Sequence, residues 1–251
     1  MDTKYWGPSG WKLLHLIAAA NKDPSESKKH CLYTFFSSLP YVLPCKYCRM
    51  SLSEYMIKHP IDLDNLPRWL YKIHNCVNAK LRGQHLKVAP DPPFKEVSMY
   101  YNEILDAGCT KTTFVGWEFL FSIAENHPYS VQSITGIPIA GCPELGPSAD
   151  LLERNRWNLL QPKERLAFVL QFWKSLPNVL PYPEWKAIWN SCEADWSTRK
   201  SSLKTLWGVR CKMETEMESS FTSLCQELKA HRSGCSKSRR AKTCRKKRTR
   251  V

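Results

Sequence analysis

The sequence contains no apolar run that approaches the roughly 20 residues needed to span a bilayer. Its first residues, Met1 to Trp6, lack the apolar core of a secretory signal, and the chain has no Asn-x-Ser/Thr glycosylation site. We therefore expect no membrane association and a cytoplasmic location, where thiols are usually kept reduced.

Acidic residues are absent from residues 229–251, which carry eleven of the 37 Lys and Arg residues. The formal net charge of the chain is +14, but residues 1–228 hold 26 basic and 23 acidic side chains, so the body is nearly neutral. Because the 229–251 tail is poor in apolar residues and dense in charge, we expect it to be disordered. Electrostatic binding of nucleic acid or another acidic partner, and a nuclear-localisation-like role, both fit this composition.

Strand-like alternation of apolar and polar residues is absent from the first hundred residues, where the apolar spacing is helical. Ser9 is a candidate N-cap for the first helix, and Pro40 is expected to end the second. In order, we expect helices over Trp11–Ala20, 26–39, Cys45 to His59, Asn65 to Leu81 and Phe94–Leu105. The predicted fold is all-α, with a four-helix bundle and a short fifth helix in residues 1–106.

A pair of cysteines, Cys45 and Cys48, follows Pro44 at the expected start of the third helix. A helix N-terminus, together with the basic side chains of Lys46 and Arg49, favours thiolate over thiol. A dithiol of this kind suits redox cycling, but the motif alone also fits half of a zinc site or two incidental cysteines.

A zinc-dependent, basic-tailed nucleic-acid-binding protein is the alternative from another functional class. Structural zinc needs four ligands, commonly from two close pairs. The chain has no second Cys-x-x-Cys and no His-x3–5-His, so we expect no metal site.

The fourth predicted helix carries three polar residues, His74, Asn75 and Asn78, among packing residues such as Trp69. Burying such groups without partners costs about 1–3 kcal/mol each. We therefore expect polar partners for them, which a structural network or the edge of a heterocycle would supply.

Three motifs together resemble a known family. They are Trp11-x3-His15-x2-Ala18, Pro44-Cys45-x2-Cys48, and Trp69-x4-His74-Asn75-x-Val77-Asn78-x-Lys80-Leu81. Their order and spacing across residues 5–106 resemble the Erv/ALR family of FAD-dependent sulfhydryl oxidases, especially the forms in large cytoplasmic DNA viruses.

The resemblance implies a helical bundle that holds FAD and oxidises thiols, with electrons passing from the dithiol to FAD and then to O2 to give hydrogen peroxide. It implies that Cys45 exchanges disulfides with substrate, as the more accessible thiol, and that Cys48 faces the flavin. The implied cofactor-binding residues are Trp11, His15, His74, Asn75, Val77, Asn78, Lys80, Leu81 and Phe94. The family's arginine before the tryptophan is replaced here by Gly7-Pro8-Ser9-Gly10.

The second half, residues 107–228, contains segments similar in sequence to segments of the first half. Residues 35–45 reappear as 172–182, and Gly10-Trp11 reappears as Gly116-Trp117. In the copy Tyr182, Trp185 and Phe121 stand where Cys45, Cys48 and His15 would be. We predict a non-catalytic helical domain that is a degenerate repeat of the first, with chance similarity of two proline-rich helix junctions as the alternative.

The tail adds two cysteines, Cys235 and Cys244, which could relay electrons from substrate to Cys45 as a mobile shuttle pair. The expected partners are a thiol-containing protein substrate or a thioredoxin-like relay, with O2 as acceptor. Family resemblance adds a homodimer as one assembly, and a viral protein of this type would work in the host cytoplasm or the virion.

Overall fold

Every element of secondary structure in the described part of the chain is a helix, which confirms the predicted all-α fold. The computed structural model describes residues 1–109, 114–131, 133–146, 148–214 and 219–232. Within these ranges the helices are α1 (Thr3–Ala20), α2 (Glu26–Val42), α3 (Lys46–Lys58), α4 (Leu66–Gly83), α5 (Phe94–Asp106), α6 (Trp117–Glu125), α7 (Leu151–Arg156), α8 (Pro162–Val179), α9 (Pro183–Asn190), α10 (Arg199–Met213) and α11 (Phe221–Ala230).

The first five helices form the predicted bundle with its short fifth member. Helix α1 packs on α4 and α5, while α3 packs on both α2 and α4. Leu13 and Ile17 of α1, Phe36 of α2, and Leu70 and Ile73 of α4 are almost completely buried. Burial of these apolar side chains supplies the main favourable free energy for the bundle.

Helix α1 begins at Thr3, two turns before the start predicted near Trp11. The Asp2 carboxylate accepts a hydrogen bond from the Lys4 backbone N–H at 3.0 Å and caps the helix. The expectation that Ser9 is the N-cap is therefore wrong. Its hydroxyl instead donates to the Trp6 carbonyl within α1. It also accepts a hydrogen bond from the backbone N–H of Phe119, and this bond joins α1 to α6.

Helix α2 runs through Pro40 to Val42, so the prediction that Pro40 ends it is wrong. Proline removes one backbone donor, but near the end of a helix its fixed φ remains compatible with the last turn. The carbonyls of this last turn have no helical N–H partner, and they accept hydrogen bonds from side chains elsewhere in the chain. Asn155 Nδ2 donates to the Pro40 carbonyl at 2.9 Å, and Arg165 Nε donates to the Tyr41 carbonyl at 2.7 Å.

The two halves of the chain share one hydrophobic core, in which α2 packs along α8 and α1 packs against α6. The rings of Phe35 and Phe172 stack across the first of these contacts at 5.2 Å. Both α2 and α8 include a proline in the last turn, Pro40 and Pro177. The helices that pack together, α2 with α8 and α1 with α6, are thus the helices that the sequence similarity between the two halves aligns.

The C-terminal end of the described chain is tied to the N-terminal end. Helix α11 continues to Ala230, the His231 ring stacks on Tyr5 at 4.1 Å, and Arg232 pairs with Glu125. Residues 229–232, which we expected to begin a disordered tail, are therefore part of the fold. The helix extends this far because Leu224 and Leu228 are buried in the shared core. No helix in the described ranges is both long and apolar enough to cross a membrane.

Candidate active site

The predicted dithiol lies at the start of α3, as the sequence indicated. Cys45 is the N-cap, with extended backbone (φ −133°, ψ 126°). Its carbonyl accepts the backbone N–H groups of Cys48 at 3.0 Å and Arg49 at 2.9 Å. Both cysteines therefore lie in the first turn of α3, at the end where the helix dipole is positive.

The two cysteines differ in exposure, in the opposite sense to our expectation. Cys45 is only 2% exposed and belongs to the hydrophobic core, whereas Cys48 is partly exposed and lines a large cavity. The expectation that Cys45 is the more accessible thiol is therefore wrong for this conformation. The reason is that the N-cap residue lies in the turn packed beneath α3, while Cys48 lies one turn along the helix surface that faces the cavity.

The cavity beside Cys48 has a volume of about 720 Å³ and lies between α1, α3, α4 and residues 86–88. This size falls within the roughly 300–1,000 Å³ typical of small-molecule sites. Apolar side chains, including Leu43, Leu70 and Ile73, form much of its wall. Of the predicted site residues, it is lined by Trp11, Cys48, His74, Val77, Asn78, Lys80 and Leu81.

Trp11, His15 and His74 form an aromatic cluster at one side of this cavity, in which His15 is buried and the other two rings are partly buried. The Trp11 and His74 rings are nearly parallel, with centroids 3.9 Å apart. His15 Nε2 and His74 Nδ1 are 3.0 Å apart and share a hydrogen bond. Burial lowers the pKa of His15 to about 3 and that of His74 to about 4. His15 does not line the cavity itself, but it fixes the ring of His74, which does.

This cluster predicts a specific pH dependence of stability. Unfolded histidine titrates near 6.5, so between this pH and about 4 the unfolded chain binds more protons than the folded chain. The free energy of unfolding should therefore fall as the pH is lowered through that range. His74→Gln should reduce the loss between pH 7 and pH 4 by about 3 kcal/mol, measured by urea unfolding.

The exposed histidine His30 provides the matched control for this prediction. Like most surface substitutions, His30→Gln should change the unfolding free energy by less than about 0.5 kcal/mol. A His74→Gln variant whose unfolding free energy falls as steeply with acid as that of the unchanged chain would contradict the assignment.

Asn78 and Lys80 reach the same cavity but are held by different partners. Asn78 Nδ2 donates to Asp91 Oδ1 at 2.7 Å, and Asp91 also forms an ion pair with Arg82. The hydrogen bond from Arg82 is the main cause that lowers the pKa of Asp91. Lys80 Nζ donates to Ser51 Oγ at 2.6 Å, which fixes the ammonium group beside α3.

Asn75 and Phe94 lie outside the main cavity. Asn75 lines an adjoining cleft of about 340 Å³, whose wall also contains His74 and Asn78. Phe94 lines a separate pocket of about 220 Å³, with its ring 5.4 Å from that of Tyr71 and under the guanidinium of Arg68. The structure therefore brings together seven of the predicted residues and places Cys45, His15, Asn75 and Phe94 around them.

Several cavity residues were not anticipated from the sequence. Lys4 and Lys12 line it from α1, and Lys87 lines it from the segment after α4. With Lys80 they give the cavity four lysines, a charge that suits an anionic ligand. Asp2 as an N-cap would have revealed that α1 reaches Lys4, but nothing in the local pattern marks Lys87.

Two further predictions, the tail shuttle and the zinc alternative, can be compared with the described part of the chain only. The two tail cysteines, Cys235 and Cys244, lie outside the described residues. Within the described ranges no group of three or more His, Cys, Asp or Glu side chains is placed to hold a metal ion. A zinc site built on Cys45 and Cys48 therefore gains no further ligands from this part of the chain.

Comparison with known proteins gives a consistent result for the first half of the chain. A profile of the Erv1/Alr family matches residues 8–96. The chain is 31% identical over 122 residues to the FAD-linked sulfhydryl oxidase of African swine fever virus, covering 46% of this chain and 98% of that protein. No solved structure matches the chain.

Two further relatives are matched over shorter segments. A probable FAD-linked sulfhydryl oxidase of Acanthamoeba polyphaga mimivirus is 38% identical over 85 residues, which are 31% of this chain and 59% of that protein. The mitochondrial FAD-linked sulfhydryl oxidase of Saccharomyces cerevisiae is 31% identical over 85 residues, covering 32% of this chain and 45% of that protein.

Proposed function

The chain belongs to the Erv1/Alr family, and we propose from this premise that it is an FAD-dependent thiol oxidase. The observation that carries the proposal is the position of Cys48, in the first turn of α3 and on the wall of the 720 Å³ cavity. A dithiol with one thiol, Cys48, on the wall of a cofactor-sized cavity can pass electrons to a bound acceptor.

The residues of the cavity fit FAD. Trp11 offers an aromatic face, Leu70 and Ile73 an apolar wall, and Asn78 an amide that can bond the edge of a heterocycle. Lys4, Lys12, Lys80 and Lys87 supply the positive charge that a diphosphate needs. We propose that His15, Asn75 and Phe94 support this site from the adjoining pockets, and that Val77 and Leu81 complete its wall.

The chemistry of the protein's own groups is thiol–disulfide exchange. We propose that substrate thiolate attacks the Cys45–Cys48 disulfide at the Cys45 sulfur, releasing Cys48 as thiolate. A second substrate thiolate then displaces Cys45, so the substrate leaves as a disulfide and the enzyme is left as a dithiol. FAD, when bound, supplies the two-electron acceptor that O2 regenerates with formation of hydrogen peroxide. Because Cys45 is buried, the exchange step requires the turn at residues 43–45 to become accessible.

The test is the visible absorbance of the purified chain, followed by oxygen uptake on addition of dithiothreitol. A flavin spectrum with thiol-dependent oxygen consumption is the expected result. A colourless protein that releases zinc on acidification would instead support the metal-binding alternative, and a yellow protein without oxygen uptake would indicate a scaffold that uses FAD only structurally.

We propose that residues 107–228 are a degenerate, non-catalytic repeat of residues 1–106. Tyr182 is the N-cap of α9 with extended backbone, as Cys45 is the N-cap of α3. Trp185 and Phe121, at the positions corresponding to Cys48 and His15, are almost completely buried. In the second half, buried aromatic side chains thus occupy the positions at which the first half has Cys48 and His15.

This repeat bears on assembly. Because α1 and α2 already pack on α6 and α8 of the same chain, a homodimer of this protein would have to use other faces. We propose that the second half takes the place of a second copy at these two helices. Light scattering should then give a mass near 29.1 kDa, and twice that value would show a homodimer through another surface.

The tail cysteines are proposed to relay electrons from a protein substrate to Cys45. The described chain ends at Arg232, where the Asp2 backbone N–H bonds the His231 carbonyl at 2.9 Å, and Thr3 and Lys4 line the cavity. The tail thus leaves the fold beside α1. The twelve residues from Arg232 to Cys244 span at most about 40 Å when extended.

Replacing both Cys235 and Cys244 with serine tests this relay. Turnover of a reduced protein substrate should fall about tenfold or more, since exchange depends on access to the attacked sulfur. Turnover of dithiothreitol should be unchanged, because a small thiol needs no relay. Equal rates with both substrates in the variant and the unchanged chain would show that the tail is not a shuttle.

Partners and location follow from the same chemistry. We propose a thiol-containing protein or a thioredoxin-like relay as substrate. Because two of the relatives are proteins of viruses, we also propose the host cytoplasm or the virion as the site of action. The basic tail is also proposed to bind nucleic acid. Such binding should weaken steeply with salt, and a chain ending at Arg232 should lose it.

A further inference from the structure

We propose that Asn158 and Asn155, in the second half of the chain, are positioning residues that set the redox equilibrium of the Cys45–Cys48 pair. They act through a buried network of hydrogen bonds, Asn158 through Arg49 on the turn that precedes Cys45 and Asn155 on the last turn of α2 just before it. This inference rests on the proposed function, in which the pair cycles between dithiol and disulfide.

The network centres on Arg49, the residue after Cys48, which is only 2% exposed. Its Nη1 donates to the Leu43 carbonyl at 3.0 Å, two residues before Cys45. Its Nη2 donates to Asn158 Oδ1 at 2.9 Å and to the Ile134 carbonyl at 3.2 Å. The guanidinium therefore ties the turn before the dithiol to two segments of the second half.

Asn158 is built to hold this arginine. It is 4% exposed, and its backbone has φ +59°, a left-handed conformation that asparagine tolerates better than most residues. Its Nδ2 donates to the Ile137 carbonyl at 2.8 Å, which fixes the orientation of the amide so that Oδ1 faces Arg49. Both ends of the side-chain amide are thus used.

Asn155 and Arg165 extend the network to the end of α2. Asn155 Nδ2 donates to the Pro40 carbonyl and also to Ser53 Oγ of α3 at 2.8 Å, so one amide joins α2 to α3. Arg165 Nε donates to the Tyr41 carbonyl. Three carbonyls in the last residues before the dithiol, those of Pro40, Tyr41 and Leu43, are therefore bonded by buried side chains.

This arrangement bears on the redox equilibrium because a disulfide has strict geometry. Its Cα atoms must lie about 4.4–6.8 Å apart with a dihedral near 90°. Cys48 is fixed within α3, but Cys45 is an N-cap whose position depends on where the preceding turn is held. Loosening that turn makes the two sulfur atoms meet less often in bonding geometry, which disfavours the disulfide.

The experiment measures the dithiol–disulfide equilibrium of this one pair. The full chain is equilibrated without oxygen against mixtures of reduced and oxidised glutathione, alkylated, and quantified on the peptide that contains Cys45 and Cys48. Asn158→Gly removes the amide but keeps a residue suited to φ +59°, and Asn155→Ala keeps a good helix former in α7. Loss of one buried bond should lower the disulfide-forming constant about fivefold in each variant.

Two controls separate positioning from general destabilisation. Asn158→Asp keeps an oxygen for Arg49 and should stay within about twofold of the unchanged chain. Asn21 is another buried asparagine, whose Nδ2 donates to the Ile17 carbonyl at the end of α1 and to the Val179 carbonyl of α8. Asn21→Ala should lower the melting temperature without moving the glutathione equilibrium.

The inference is overturned if Asn158→Gly and Asn155→Ala leave the constant within twofold of the unchanged chain, or if Asn21→Ala shifts it equally. If Asn158→Gly does not fold, the Asn155→Ala variant alone tests the inference, because it removes the hydrogen bond to the Pro40 carbonyl. The measurement needs no flavin and no oxygen, so a chain that proved not to be an oxidase would fail the absorbance test while this equilibrium could still be read.

Discussion

Cys48→Ser is expected to abolish thiol-dependent oxygen uptake, with a loss of about 1,000-fold or more, because removing a reacting group of a concerted catalytic unit eliminates nearly all of its effect. Cys48 lines the cavity, and a serine hydroxyl cannot form the disulfide through which electrons leave the substrate. Oxygen uptake with saturating dithiothreitol measures the loss, and flavin absorbance in the purified variant shows that the cavity is intact.

A neighbouring cysteine provides the matched control. Cys76 lies on α4, is partly exposed, and does not line the cavity. Cys76→Ser should keep oxygen uptake within about twofold of the unchanged chain, as expected for a substitution outside the reacting groups. Retention of rapid oxygen uptake in Cys48→Ser, with flavin bound, would remove this cysteine from the electron path.

The second large effect concerns stability and a single buried carboxylate. The Glu125 side chain is completely buried at the end of α6. One of its oxygens, Oε2, accepts Arg199 Nη2 at 2.6 Å and Nε at 2.8 Å, while the other pairs with Arg232. Glu125→Ala should destabilise the chain by about 3–5 kcal/mol, because two arginines lose their buried partner. Urea unfolding of the full chain measures this value.

Glu118 is the appropriate control, since it lies on the same helix but is exposed. Glu118→Ala should change the unfolding free energy by less than about 0.5 kcal/mol, as most surface substitutions do. A Glu125→Ala variant as stable as Glu118→Ala would show that the two arginines find equally good partners in water.

The parts of this fold that the sequence predicts are those with local signals. The start of α3 at Cys45 could be predicted because Pro44 precedes it and apolar residues repeat with helical spacing after it. The prediction from Pro40 was wrong because the end of α2 depends on distant parts of the chain. The rule that proline ends a helix ignores the donors that Asn155 and Arg165 bring to the last turn from more than a hundred residues away.

The candidate site divides in the same way. Trp11, His74, Asn78 and Cys48 could be assigned to one site because their spacing resembles a family pattern. Lys87 could not, because it lies in a segment without periodicity. The low exposure of Cys45 was also beyond prediction, since it depends on how the turn at residues 43–45 packs into a core that both halves build.

The hydrogen bonds at the end of α2 also set an order of events during synthesis. The donors to the Pro40 and Tyr41 carbonyls lie 115 and 124 residues further along the chain. At about 5–20 residues per second, a ribosome reaches Arg165 some 6–25 seconds after it has made the dithiol turn. During that interval the α2 surface that α8 will cover is open to solvent, and the two thiols of Cys45 and Cys48 precede the groups that fasten their turn. Cys45 and Cys48 are therefore synthesised before Asn155 and Arg165. The hydrogen bonds that hold the chain just before the dithiol can form only after this part of the second half has been made.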